Sequence, residues 1–188
     1  MFPSPEAFAV EVEFYCAAHR ICGRIRLPND SSRLTDLLNA ADESLHLTDV
    51  SVFSLGRAAH DEIGELTLEK QTVRLALPRE SQDFLSRRRL TRAGIARPNY
   101  TPVPALILLP PYTVKGLLYS GVGADRGWLE PSRFPRFVSV TDASVYRDGR
   151  LLVGETFIAV SRDAIAAIGR AAVEAPAPTK PRAQILVR

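Results

Sequence analysis

Residues 47–53 read LTDVSVF, and residues 140–146 read VTDASVY. Laying Thr48 on Thr141 fixes one offset, at which Ile21 meets Val114, Gly23 meets Gly116, Asp49 meets Asp142, Ser51 meets Ser144 and Val52 meets Val145. No gap is needed from Val10 to Phe53. VEVEFYC lies over VPALILL, and HRICGRIRL lies over YTVKGLLYS. Once a single residue is dropped between Phe53 and Leu66, ELTLEKQTVRLAL falls on FIAVSRDAIAAIG. Loops absorb such a change of length at little cost. The chain is therefore expected to hold two homologous units, residues 8–77 and 101–170, joined by a linker at 78–100 and followed by a Pro/Ala-rich tail at 171–188.

Each unit carries the same punctuation. Val10, Val12 and Phe14 alternate with Glu11 and Glu13, the period-two pattern of a half-buried strand. A second strand is centred on Gly23 or Gly116; a strand-interior glycine marks a bulge or a close backbone approach. The connection that follows differs between the units. In the first, RLTDLLNAADESL spaces Leu34, Leu37, Leu38 and Ala41 for a short helix, with Ser32 as its expected N-cap. In the second, the glycines and prolines of GVGADRGWLEPSRFPRF exclude a regular helix. The LTDVSVF strand then opens a hairpin. In the second unit its turn is Arg147-Asp148-Gly149-Arg150, a type I′ signal. A final meander, with the strand Ala164–Ile168 after a tight turn at Ser161-Arg162-Asp163, completes the order β-β-(helix or loop)-β-β-β.

These features predict a mainly β protein of two small β-barrel or bent-sheet units. A unit this small is marginal alone, burying only about 60% of its unfolded surface. The two are expected to pack together as a pseudo-twofold pair, the intramolecular form of an isologous dimer.

The longest apolar run, Val103 to Leu109, is broken by Pro104 and closed by Pro110. It is far shorter than the roughly 20 residues of a membrane helix, so no membrane span is expected. The N-terminal MFPSPEAF lacks a basic segment followed by an apolar core, so no signal peptide is expected and the chain reads as cytoplasmic. Cys16 and Cys22 are too few for a disulfide framework or a closed zinc site. They read as buried thiols acting as small hydrophobes.

The sequence GRIRLP, then RLTDLLN, then LHLTDVSVF resembles a small bacterial domain of unknown function, in which a strand, an R-x-x-D-x-L-N segment and an L-T-D-V strand recur. FVSVTDASVYRDGRLLVGETFIAVSRDAI resembles the C-terminal half of the same domain, although residues 126–130, with Trp128, replace the R-x-x-D-x-L-N segment. The resemblance implies a tandem duplication and no particular activity. A second likeness is to Sm-like small β-barrels that bind RNA. Gly23, Asp36 and Asn39 match its strand glycine and D-x-x-M-N segment, whereas Lys70-Gln71-Thr72 and Ser161-Arg162-Asp163 stand where Arg-Gly is expected. It implies a small-barrel topology more than RNA binding.

The candidate site residues are few. Asp49 and Asp142 are equivalent in the repeat. They read either as two carboxylates that approach each other and raise one pKa, or as local partners of backbone amides. Asp36 and Asn39 read as local hydrogen-bonding residues around the short helix. The linker holds six arginines, of which Arg87, Arg88, Arg89 and Arg92 form the densest run. It reads as a solvated face, the commoner case, or as a phosphate-binding strip, which would want stacking aromatics where only Phe84 and Tyr100 flank it. His19, His46 and His60 lack ligand spacing, and Gly121, Gly123 and Gly127 are turn formers rather than a phosphate loop.

No catalytic constellation, metal site or cofactor motif is found. The expected function is that of a non-enzymatic binding or assembly module, engaging another protein or itself through β edges or a pseudo-symmetric groove. The alternative is nucleic-acid binding through the arginine-rich linker.

Overall fold

A computed structural model describes residues 9–29, 32–55, 60–79, 100–121 and 130–171. Its strands are β1 (Ala9–Tyr15), β2 (His19–Arg26), β3 (Ser44–Ser54), β4 (His60–Glu69), β5 (Leu75–Pro78), β6 (Tyr100–Leu109), β7 (Tyr112–Gly121), β8 (Phe137–Arg147), β9 (Arg150–Ser161) and β10 (Ala167–Arg170). One short helix, α1 (Leu34–Leu38), follows β2. The protein is mainly β. Its strands form one antiparallel sheet in the order β10-β6-β7-β8-β9-β5-β1-β2-β3-β4, with β10 and β4 at its two ends. Among the described residues no helix is long and apolar enough to cross a membrane.

The ladders of the two halves keep the same register. Val12 pairs with Gly23 as Ala105 pairs with Gly116, and Ile21 pairs with Val52 as Val114 pairs with Val145. Single hydrogen bonds recur as well. Arg74 N–H donates to Tyr15 O at 2.9 Å, and Ala166 N–H to Leu108 O at 2.8 Å. Lys70 N–H reaches Glu43 O at 2.9 Å, and Arg162 N–H reaches Arg136 O at 2.8 Å.

A bulge sits at the same place in each half. Cys22 pairs with Ser51 and Arg24 with Thr48, so Asp49 and Val50 together oppose Gly23. In the second half, Asp142 and Ala143 oppose Gly116. The extra residue is accommodated by left-handed backbone at Asp49 (φ 52°) and Asp142 (φ 47°), a conformation that aspartate tolerates better than most L-residues. The facing glycines allow the close approach. A Cβ on Gly23 would lie 3.2 Å from Thr48 O, and one on Gly116 would lie 2.6 Å from Val140 Cγ1 and 2.9 Å from Thr141 O. The bulge also resets which side chains point inward. Leu45 and Leu47 are buried before it, Val50 after it, and in the second half Val138 and Val140 before it and Ala143 and Val145 after it.

The β8–β9 hairpin turns on Asp148 (φ 51°) and Gly149 (φ 75°), both positive as a type I′ turn requires. The expected final meander is corrected. After a 3₁₀ turn at Lys70–Thr72, the chain leaves β4 and β5 pairs with β1; in the second half β10 pairs with β6. The turn is pinned by Lys70, whose buried ammonium donates to Leu37 O at 2.8 Å and Ala40 O at 3.0 Å. Arg74 N–H then steers the chain onto Tyr15 O.

The halves join through β5 and β9, with Leu75 opposite Val160 and Ala76 opposite Ala159. The fifth strand of one half therefore meets the fourth strand of the other. A twofold pair would place like edges together, so the expected pseudo-twofold arrangement is replaced by a head-to-tail contact. Its physical basis is core sharing. Tyr15, Leu75 and Leu77 of the first half are buried in the cluster of the second, while Phe137 and Ala159 of the second half are buried in the cluster of the first.

The bulge geometry predicts unequal costs at matched positions. Gly116→Ala should lower stability by about 1–3 kcal/mol, the scale of overpacking, and by more than Gly23→Ala, while Asp142→Gly should leave it nearly unchanged. Urea midpoints of the three variants measure this; equal losses at the two glycines would contradict it.

Candidate functional site

A charged groove lies over β1, β2 and the bulge of β3, has a volume of about 390 Å³, and is lined by Glu11, Glu13, Arg20, Cys22, Arg24, Asp49 and Arg79 among others. Strand alternation predicts Glu13 on the solvent side of β1. It is in fact 3% exposed, because β5 and Arg79 cover it. Its carboxylate accepts from Arg79 Nε at 2.7 Å and from a second Arg79 nitrogen, from Tyr15 Oη at 3.0 Å, and is ion-paired to Arg20 at 3.2 Å. Arg79 continues to Glu155 on β9. The cluster thus ties β1, β2 and the end of β5 to the other half of the sheet.

Position by position, the second half has none of this. Leu106, Thr113, Leu117 and Ala171 stand where Glu13, Arg20, Arg24 and Arg79 stand in the first. The backbone frame is shared, since Arg79 N–H donates to Glu11 O at 2.7 Å and Ala171 N–H to Pro104 O at 3.1 Å. The charge cluster belongs to one unit and sits against the junction.

The structure does not bring Asp49 and Asp142 together. They lie on β3 and β8, with β9, β5, β1 and β2 between those strands in the sheet. Asp49 is exposed and paired with Arg24 at 3.6 Å. Their equivalence reflects the left-handed bulge rather than a shared acid–base site. Asp36 is a local partner, as expected: its carboxylate accepts from Arg33 N–H at 2.8 Å, which makes Arg33, not Ser32, the N-cap of α1. Asn39 acts at long range instead. Its Nδ2 donates to Phe137 O at 3.0 Å and its Oδ1 accepts from Phe137 N–H at 2.7 Å, so one amide side chain holds the first residue of β8. Arg136 adds an ion pair to Glu43 at 2.8 Å beside it. Arg87, Arg88, Arg89 and Arg92 lie outside the described residues.

Lys70 and Arg162 hold matching positions in the two halves, and the sequence marks them only as standing where Arg-Gly is expected. Lys70 plugs the carbonyls that end α1, and Arg162 donates to Phe134 O at 3.0 Å in the second connection. The cation in each case donates to carbonyls of the segment that connects the second and third strands of its half. Burial lowers the Lys70 pKa below the ordinary lysine value.

Cys16 and Cys22 are free thiols, and Cys22 faces Glu13 in the ladder rather than Cys16. Burial pushes both thiols up, and the Glu13 carboxylate pushes Cys22 further. This favours the thiol over the nucleophilic thiolate. Tyr112 Oη donates to Cys16 O at 2.9 Å across the junction, with Tyr15 against it edge-on at 5.8 Å. Burial raises both phenols, Tyr112 to about 12 and Tyr15 further, with Glu13 adding to the Tyr15 shift. No group of His, Cys, Asp and Glu among the described residues could hold a metal ion. No family model matches the sequence, and no curated protein or solved structure is significantly similar to it.

Two expectations follow. Arg79→Ala strips the buried Glu13 carboxylate of its main partner and should cost about 2 kcal/mol, whereas Arg24→Ala, at an exposed pair, should stay within about 0.5 kcal/mol. Chemical denaturation of the two variants side by side measures the difference. Above the usual tyrosine pKa of 10.0, the unfolded chain releases phenolic protons that the folded chain retains at Tyr15 and Tyr112. Stability should therefore fall as pH rises from 10 towards 12, by up to about 1.4 kcal/mol per pH unit for each phenol, against an opposing slope from Lys70 below its ordinary value. Tyr112→Phe should flatten that decline in a pH series of urea midpoints; an unchanged slope would contradict it.

Proposed function

We propose that this chain is a non-enzymatic assembly module, a tandem duplication of one small β unit, which engages another protein chain through β-edge pairing. The observation that carries this reading is the β5·β9 junction, where one unit already holds another by edge pairing, with Leu75 opposite Val160 and Ala76 opposite Ala159. The matching registers and bulges of the two halves support the duplication. The charge cluster of the first unit supports a structural rather than chemical use of its polar groups, because Glu13, Arg79, Arg20 and Glu155 satisfy one another.

The edge of β4 provides the test. Ser161 N–H donates to Arg74 O across the junction at 2.9 Å, and Glu69 occupies the matching position on β4. The Glu69 amide therefore faces outward, and Thr67, two residues earlier, shares that side. Thr67→Pro removes one outward donor and leaves the β3 side of the ladder its hydrogen bonds. Affinity capture from the native cell, with wild type and Thr67→Pro compared at equal thermal stability, should show a protein partner held by the first and lost from the second. Identical capture by both would overturn the reading.

A further inference from the structure

We propose that the second half docks on an anionic lipid membrane, through the surface where the β6–β7 turn and the β8–β9 hairpin lie side by side. This goes beyond the edge-pairing reading and does not depend on it.

The ladder registers bring the two turns together, since Leu109 pairs with Tyr112, Tyr112 with Arg147 and Arg147 with Arg150. One row behind, Ala167, Leu108, Thr113, Tyr146 and Leu151 stand opposite one another in turn on β10, β6, β7, β8 and β9. Residues directly opposite in a ladder share a face of the sheet. The row lies on the face away from the core of its own half, because the chain neighbours Ile107, Val114 and Val145 are wholly buried on the other. Leu108 is 40% exposed and Leu151 61%, and Leu152 beside it and Ala167 are exposed as well. The matching row of the first half is Tyr15, Arg20, Phe53 and His60, in which Arg20 pairs with Glu13 and His60 lies 3.2 Å from Glu62. The apolar row is particular to the second half.

Cations surround it. Lys115, two residues beyond Thr113 on β7, is exposed and holds its ammonium 5.5 Å from the centre of the Tyr146 ring. Arg147 and Arg150 flank the hairpin turn, and Arg147 pairs with the exposed Asp148 at 3.6 Å, beyond hydrogen-bond length. Lys115, Arg147 and Arg150 against Asp148 leave a net charge of +2 around the row. Asp163 is taken up by Arg162 at 3.0 Å, and Asp142 lies further from the turns, at the bulge.

Apolar side chains on adjoining turns, ringed by cations, match the boundary of an anionic bilayer. The leucines enter the acyl region while lysine and arginine meet headgroup phosphates. The same magnitudes disfavour a protein on this surface. Five strands at their usual spacing span about 19 Å, and a strip one or two side chains deep covers about 200 Å². A stable protein interface takes about 800 Å² from each partner. A twofold contact between two copies would also bring Lys115, Arg147 and Arg150 of both chains against each other, which costs affinity.

The test is sedimentation of the purified full chain with vesicles of phosphatidylcholine alone and of an equal mixture of phosphatidylcholine and phosphatidylserine. The chain should bind the mixed vesicles, release them as salt rises, and leave the uncharged ones. Leu151→Ser with Leu152→Ser should weaken binding about tenfold, and Arg150→Gln about fivefold. Ile63→Ser, at an exposed apolar position of the first half, should leave binding and melting temperature unchanged. Absence of binding to the mixed vesicles, equal binding to both kinds, or equal loss in Ile63→Ser and the leucine variant overturns the proposal. A chain that ignores vesicles but forms a dimer dissociated by the leucine variant assigns the surface to a second copy, and the lipid proposal falls.

Discussion

Two ladder positions on β5 and β9 hold the molecule together, because each half completes its core only with side chains from the other. Leu75 and Leu77 point away from the strands that precede them and into the cluster built on β6 to β9. Ala76, between them, points into its own half together with Ala159. A four-residue strand thus contributes to two cores by alternation alone. Neither half could leave that strand unpaired without exposing apolar side chains from both clusters. Tyr112, Asn39 and Arg79 then fix the contact with hydrogen bonds from three directions, to Cys16 O, to the Phe137 backbone and to Glu155.

Much of each unit was legible from sequence because its constraints are local. Alternation located the strands, Asp148-Gly149 located the turn, and the spacing of Leu34 and Leu38 located α1. The bulge was legible in principle as well. In LHLTDVSV the inward set moves from Leu45 and Leu47 to Val50, a change of phase that a regular strand cannot make. Asp49 and Asp142 read from sequence either as a carboxylate pair or as local partners of backbone amides, whereas their shared feature is positive φ at the bulge, and the sheet keeps them apart.

The junction was not legible, because nothing local decides which edge meets which. Pairing β5 with β9 depends on surfaces that exist only once both units have folded, and the symmetry of a repeat suggests a twofold as readily as a head-to-tail contact. Glu13 shows the same limit for one residue. Its alternation with Val12 and Phe14 marks it as polar and outward, and outward it is; the sequence does not reveal that β5 and Arg79 cover that side. Asn39 reads from sequence as a local hydrogen-bonding residue beside the short helix, yet its side-chain partners lie on β8.

The two halves share a backbone frame and differ in the side chains they place around the junction. Glycine facing an αL aspartate, the 3₁₀ turn and a cation aimed at the connecting carbonyls are present in both. Glu13, Arg20, Arg79 and Asn39 occur only in the first half, and Glu155, Phe137 and Tyr112, which receive them or lie beside them, only in the second. Their counterparts at the sheet ends are different in kind. Leu108 replaces Tyr15, Ala167 and Gly169 replace Leu75 and Leu77, and Ile63 replaces Glu155. Leu108, Ala167 and Gly169 are smaller than the residues they match, so the side chains that fill two cores at once are particular to the β5·β9 junction.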